Sequence, residues 1–193
     1  MKYMIISFSG APGSGKSTIA QELAKKLSWP RYYMGIIRRE AAKERGLTLA
    51  QYNKLGETDP STDFEVDEYQ KKLGQEENNF VIEGRTSWFL IPHSLKIYLD
   101  VDPEIGAKRI FQSLQKKNNR NEDDNLKTWE DVLESNKKRL VSDSLRYQKY
   151  YNIDINKPEQ YDLYLDTSNL SPQEVLSQVE KFVLKQGKIN QQQ

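Results

Sequence analysis

The sequence contains no cysteine and only one histidine among its 193 residues. The first absence excludes a disulfide framework and any cysteine-based zinc site, and it suits a reducing cytoplasm. Long apolar runs are missing too. The N-terminal run is far shorter than the roughly 18 residues a membrane span needs, and it leads into a glycine-rich loop with no cleavage site. The expectation is a soluble cytoplasmic protein with no membrane partner. Neither sign of charge is in excess: 29 Lys and Arg stand against 28 Asp and Glu, a formal net charge of +1. A general nucleic-acid binder would carry a marked basic surplus, so no nucleic-acid partner is expected.

What is present reads as strands alternating with helices. Apolar runs bounded by turn signals occur at Tyr3 to Phe8, Phe80 to Ile82, Leu95 to Val101 and Tyr161 to Leu165, with a shorter strand at Arg31 to Met34. Ile19, Leu23 and Leu27 recur every four residues beside Ala20 and Ala24, the stripe of an amphipathic helix. Asp102-Pro103 and Ser171-Pro172-Gln173-Glu174 are helix starts, the second with a reciprocal capping glutamate. The pattern predicts an α/β fold: a parallel sheet of about five strands with helices on both faces. Residues 35–73 are too long for a simple crossover and read as a helical insertion. Residues 115–128 are the most loop-like interior stretch. No linker or repeat divides residues 1–193, so one domain is expected.

Gly10-Ala11-Pro12-Gly13-Ser14-Gly15-Lys16-Ser17 satisfies G-x-x-x-x-G-K-[ST] between a predicted strand and a predicted helix. Glycines at 10, 13 and 15 let successive N–H groups converge on phosphate oxygens. The helix that follows turns its positive end toward the same phosphates, with Thr18 in its first turn. Lys16 is then expected to reach the β- and γ-phosphates and the Ser17 hydroxyl to hold Mg²⁺, making ATP with Mg²⁺ the expected cofactor pair. The guanine-reading Asn-Lys-x-Asp is absent, and the length fits a small-molecule kinase.

Ligands of open α/β sheets gather beyond the carboxyl ends of the strands. There the strand at Phe80 to Ile82 ends in Glu83-Gly84-Arg85. Glu83 is expected near the Mg²⁺ waters and Arg85 turned toward a bound anion. Gly35 precedes Arg38 and Arg39; one of the two is expected to face the cleft, with a solvated basic face the reading for Arg38. Arg139 and Arg146, seven apart on a helix from about Trp129 to Tyr151, share a face and suit a developing phosphoryl charge. His93 reads as a surface residue. Trp88 and Phe89 read as core, with stacking on an acceptor base as the alternative.

With those residues in hand, the chain resembles the cytidylate kinases, most closely the short archaeal-type branch. The resemblance rests on GAPGSGKSTIAQELAKKL, GIIRREAAKERGLTLAQYNK, VIEGR leading to LKIYLDVDPEIGAKRI, the helix from Arg139 through Ser142, Asp143, Arg146 and Tyr147, and YDLYLDTSNLSPQEV. It implies transfer of the ATP γ-phosphate to CMP or dCMP by a monomeric P-loop kinase. By that resemblance Gly35, Arg39 and Arg85 hold the acceptor, and Arg139 and Arg146 close over the transferring group. Asp143 lies near the pyrimidine or its sugar, Asp63 and Asp67 near the cytosine, Asp166-Thr167-Ser168 near the donor adenine, and residues 115–128 form a lid. The family's serine before the glycine at 35 is replaced here by Met34, and a thioether donates no hydrogen bond to a base. Two alternatives stay open: a kinase of another monophosphate or small metabolite, and a non-catalytic ATP-binding regulator.

Overall fold

The structure, a computed structural model, describes residues 4–116 and 126–189. Its centre is β1 (Ile5–Gly10), flanked by β3 (Phe80–Glu83) and β4 (Leu95–Asp100). Beyond β3 lies β2 (Arg31–Tyr33), and beyond β4 lies β5 (Leu163–Asp166), giving the order β2-β3-β1-β4-β5. Every pairing is parallel.

Every residue of β1 is buried, which explains an apolar run without a polar face. Alternation then divides its side chains between the two layers. Ile6 and Phe8 pack with Ile19 and Leu23 of α1 (Lys16–Leu27) and with Val175, Val179 and Val183 of α8 (Pro172–Ile189). Ile5 packs on the other face with Met34 of α2 (Met34–Glu44) and with Val66 and Leu73 of α4 (Ser61–Glu76). Three helices therefore fill the stretch between β2 and β3, with α3 (Leu49–Gly56) between the other two. After β3 comes the short α5 (Ser87–Leu90), after β4 comes α6 (Pro103–Leu114), and α7 (Trp129–Tyr151) lies against α6.

Helix starts follow the side-chain chemistry. The Asp102 carboxylate accepts from the amides of Glu104 and Ile105 at 2.9 and 3.0 Å. Thr128 and Asp131 form a capping box, and Ser171 and Glu174 bond reciprocally. The expected strand at Arg31 to Met34 is one residue shorter, because Met34 already opens α2 behind the extended Tyr33. Of the loop expected at 115–128, residues 117–125 lie outside the described residues. No helix among the described residues is long and apolar enough to cross a membrane.

Candidate active site

Parallel strands put their carboxyl ends on one edge, and the phosphate-type loop leaves β1 there. The loop is wedged between β4 and α6. Gly10, at φ 149°, lies so close to β4 that a Cβ would sit 2.1 Å from the Leu99 carbonyl oxygen. Gly13, at φ 81°, would place one 2.3 Å from the Gly106 carbonyl oxygen. Side chains fit neither the backbone angle nor the space. Gly15 caps α1, whose N-terminal amides face outward beside Lys16 and Ser17.

Two cavities open on either side of this loop. The first is lined by Pro12, Gly13, Lys16 and Ser17 from the loop. Its other walls carry Gly35, Arg38 and Arg39 from α2, Asp63 and Asp67 from α4, Glu83 and Arg85 from the end of β3, and Arg139 and Asp143 from α7. The second is lined by Gly13, Ser14, Gly15 and Thr18 with Arg109, Thr167 and Leu170. Ala11 lines neither; its amide bonds Leu99 of β4, and its carbonyl accepts from Lys16 Nζ at 3.3 Å.

The Ser17 hydroxyl donates to Glu83 Oε2 at 2.6 Å, and Glu83 is 1% exposed. Among the described residues no group of three His, Cys, Asp or Glu could enclose a metal. One hydroxyl and one carboxylate suit a hard, hydrated ion that takes its remaining ligands from phosphates and water, so this pair fits Mg²⁺. Glu83 Oε1 accepts from Arg31 Nε at 2.6 Å, a partner the sequence reading did not identify.

Along one side of the first cavity runs a chain of alternating charges: Arg38, Asp63, Arg146, Asp143, Arg85. Arg38 meets Asp63 at 2.7 Å, Arg146 bridges Asp63 and Asp143, and Arg85 Nε meets Asp143 at 2.9 Å. Arg85 also donates to the Gly10 carbonyl at 3.1 Å, which fastens it to the loop. Burial alone would push the Asp143 carboxyl up, but Arg85, Arg146 and Arg139 outweigh it and hold it below the usual range. Burial likewise opposes the Arg146 charge, which Tyr147, Asp143 and Asp63 hold more firmly than usual.

This chain corrects two expectations. Arg146 does not face the transferring group: its side chain is 0% exposed, and its guanidinium is committed to Asp63 and Asp143. The two-turn spacing from Arg139 is real, but Arg139 lines the cavity while Arg146 is fully buried beneath it, drawn in by Asp63 and Asp143. Arg38 is no solvated basic residue. It bonds Asn53 at 2.8 Å and the Thr62 carbonyl at 3.0 Å besides Asp63, tying α2 to α3 and α4. Asp63 and Asp143 do reach the wall, with their carboxylates engaged by arginines.

Arg39 reaches the cavity as expected, donating to the Tyr33 hydroxyl and the Gly35 carbonyl, both at 2.9 Å. Asp67 accepts from Gln70 at 2.9 Å, from Thr86 at 3.0 Å and from Tyr151. Burial, helped by nearby Asp63, raises its carboxyl to about 6 against the pull of those donors. His93 is exposed. Trp88 packs edge-on against Tyr161 and is core. At the second cavity Arg109, also not singled out in the sequence, donates to the carbonyls of Thr167 and Ser168 at 2.9 and 3.1 Å.

Comparison with known proteins gives the family and the fold. The model of the cytidylate kinase-like family matches residues 5–169. A cytidylate kinase of Methanocella arvoryzae is 36% identical over 180 residues, covering 93% of this chain and 97% of that protein. One of Pyrococcus furiosus is 35% identical over 181 residues, covering 93% and 88%. Among solved structures, a shikimate kinase from Bacteroides thetaiotaomicron superposes with a TM-score of 0.61 at 13% identity, over 93% of this chain and 98% of that one, a likeness of fold alone. The chain belongs to the cytidylate kinase-like family.

Proposed function

We infer that this protein is a nucleoside monophosphate kinase that moves the γ-phosphoryl group of ATP onto the phosphate of CMP or dCMP. One observation carries the reading. A single cavity has the Lys16 and Ser17 end of a phosphate loop on one wall and Arg39, Arg85 and Arg139 on the opposing walls. Polyphosphate on one side and an array of guanidiniums on the other suit transfer between two anions better than transfer to a neutral alcohol.

In this reading the second cavity, between the loop, Arg109 and Thr167, receives the donor base. Pro12 to Thr18 cradle the donor phosphates. Ser17 and Glu83 would hold Mg²⁺, which supplies positive charge to the β- and γ-oxygens when bound. Lys16 adds an ammonium to those oxygens. Arg39 and Arg85 hold the acceptor phosphate, Arg139 meets the transition-state charge, and Gly35 lets α2 approach the acceptor. Asp63, Asp143 and Arg146 act through Arg85 and Arg38, keeping the guanidiniums aligned. No general base is required, because the attacking phosphate oxygen is already charged. The sheet and the helices of 35–73 work as one catalytic unit. The cysteine-free composition supports a cytoplasmic setting.

The test is coupled ADP release with ATP and Mg²⁺ over all nucleoside monophosphates. CMP and dCMP should head the ranking. A chain that turns over another monophosphate first, with CMP inert, would trace to the base end of the cavity, where Met34 stands. A protein that binds ATP but releases no additional ADP with any acceptor would be a regulator instead.

A further inference from the structure

Arg31 sits on the edge strand β2, outside the loop and the arginine array, yet its guanidinium lies against the Glu83 carboxylate. Nε donates to Oε1 at 2.6 Å, and an Nη contacts the same oxygen. Ser17 occupies Oε2 at 2.6 Å. In the parallel register Tyr33 pairs with Glu83, so Arg31, two residues earlier, projects on the same face of the sheet. The Tyr33 ring steadies the guanidinium from 5.3 Å, and Arg39 lies 5.9 Å from the same ring. Glu83 is nearly inaccessible to water while Arg31 keeps 24% of its side-chain exposure. The buried carboxylate is thus neutralised by a cation that can swing toward solvent.

We propose that Arg31 is a stand-in cation for the metal site, occupying Glu83 in the nucleotide-free protein so that a divalent ion binds only together with the triphosphate. The inference rests on the reading of Ser17 and Glu83 as the Mg²⁺ pair. Its physical basis is that a small hard ion sheds water reluctantly and needs more than one anionic ligand. With Arg31 in place the site offers one carboxylate whose charge is already balanced. Phosphate oxygens must therefore complete both the ligand set and the charge. The consequence is order: the protein does not hold a bare ion, and nucleotide arrives with its metal.

The probe is Mn²⁺ alone, followed through its free-ion paramagnetic signal. Arg31→Met and Arg31→Gln should bind Mn²⁺ without nucleotide at least about tenfold more tightly than wild type, since an unbalanced buried carboxylate attracts cations strongly. Arg31→Lys keeps the charge and should behave as wild type, which a merely structural role for the guanidinium would not produce. Folded Met and Gln variants with wild-type Mn²⁺ affinity overturn the proposal. Should neither variant fold, wild type decides it: ADP should strengthen Mn²⁺ binding by roughly 100-fold, and equal affinity with and without ADP overturns it. No Mn²⁺ binding by wild type, with or without ADP, would instead sink the metal-site reading itself.

Discussion

Arg146→Met removes the guanidinium at the middle of the buried charge chain while keeping much of its apolar bulk. The side chain is 0% exposed, and its two carboxylate partners are 4% and 3% exposed. Taking one member from a buried ion pair costs about 3–5 kcal/mol, because the remaining charge loses its compensation. Asp63 keeps Arg38 at 2.7 Å and Asp143 keeps Arg85 at 2.9 Å, so neither carboxylate is left alone. The lower end, about 3 kcal/mol, is the expectation. In a chain of this size each kcal/mol lowers Tm by roughly 2–4 °C, giving a fall of about 6–12 °C. Urea unfolding at pH 7 gives the free energy, and steady-state kinetics well below the melting range give the function. Because Arg146 acts through Asp143 on Arg85, the acceptor KM should rise more than kcat falls. A variant within about 0.5 kcal/mol of wild type whose kcat nonetheless drops by several powers of ten would refute the reasoning. Arg146 would then act on the transferring group, as the helix pattern alone implied.

Further outcomes follow from neighbouring residues. Arg85→Ala should lower CMP turnover by roughly 10²–10³-fold while ATP binding, read by calorimetry, persists; undiminished turnover contradicts its role. Gly13→Ala should abolish ATP binding, since its Cβ would collide with the Gly106 carbonyl at a φ of 81°. Asp67 binds its proton more tightly when folded, about 6 against an unfolded value near 3.8, so its contribution to stability is present below about pH 4 and fades as pH rises through 6. The difference is about 3 kcal/mol at most. Asp67→Asn should flatten that part of the stability profile, measured by urea midpoints from pH 4 to 7, and an unchanged slope would assign it to another group.

The sheet and the loop were legible because their signals are local. A buried parallel strand is a short apolar run, and Gly10, Gly13 and Gly15 are demanded by backbone angles and by contacts with β4 and α6. Lys16, Ser17, Glu83 and Arg85 are legible from their positions at strand ends and the start of α1, Arg139 from its spacing on α7 and Arg39 from the family resemblance, and all line the first cavity. What spacing could not convey was which guanidiniums are already committed. Arg38 and Arg146 look like their neighbours in sequence, but Asp63, which engages both, comes from α4 and meets them only through packing, whereas Asp143 lies three residues from Arg146 on α7. Arg31 escaped notice for a related reason: its importance comes from register beside Glu83, 52 positions away. Arg109 was legible only as part of an amphipathic helix, and its bonds to Thr167 and Ser168 span the second cavity.

If donor and acceptor phosphates meet between Lys16 and the arginines, a compound joining adenosine to cytidine through a chain of phosphates should span both cavities. Calorimetry should find one such molecule per chain, held at least about tenfold more tightly than ATP, because the second half binds at high effective concentration. Lys16→Ala and Arg85→Ala should each erase that advantage. Binding no tighter than ATP, or unaffected by Arg85→Ala, would mean that the two walls do not serve one reaction.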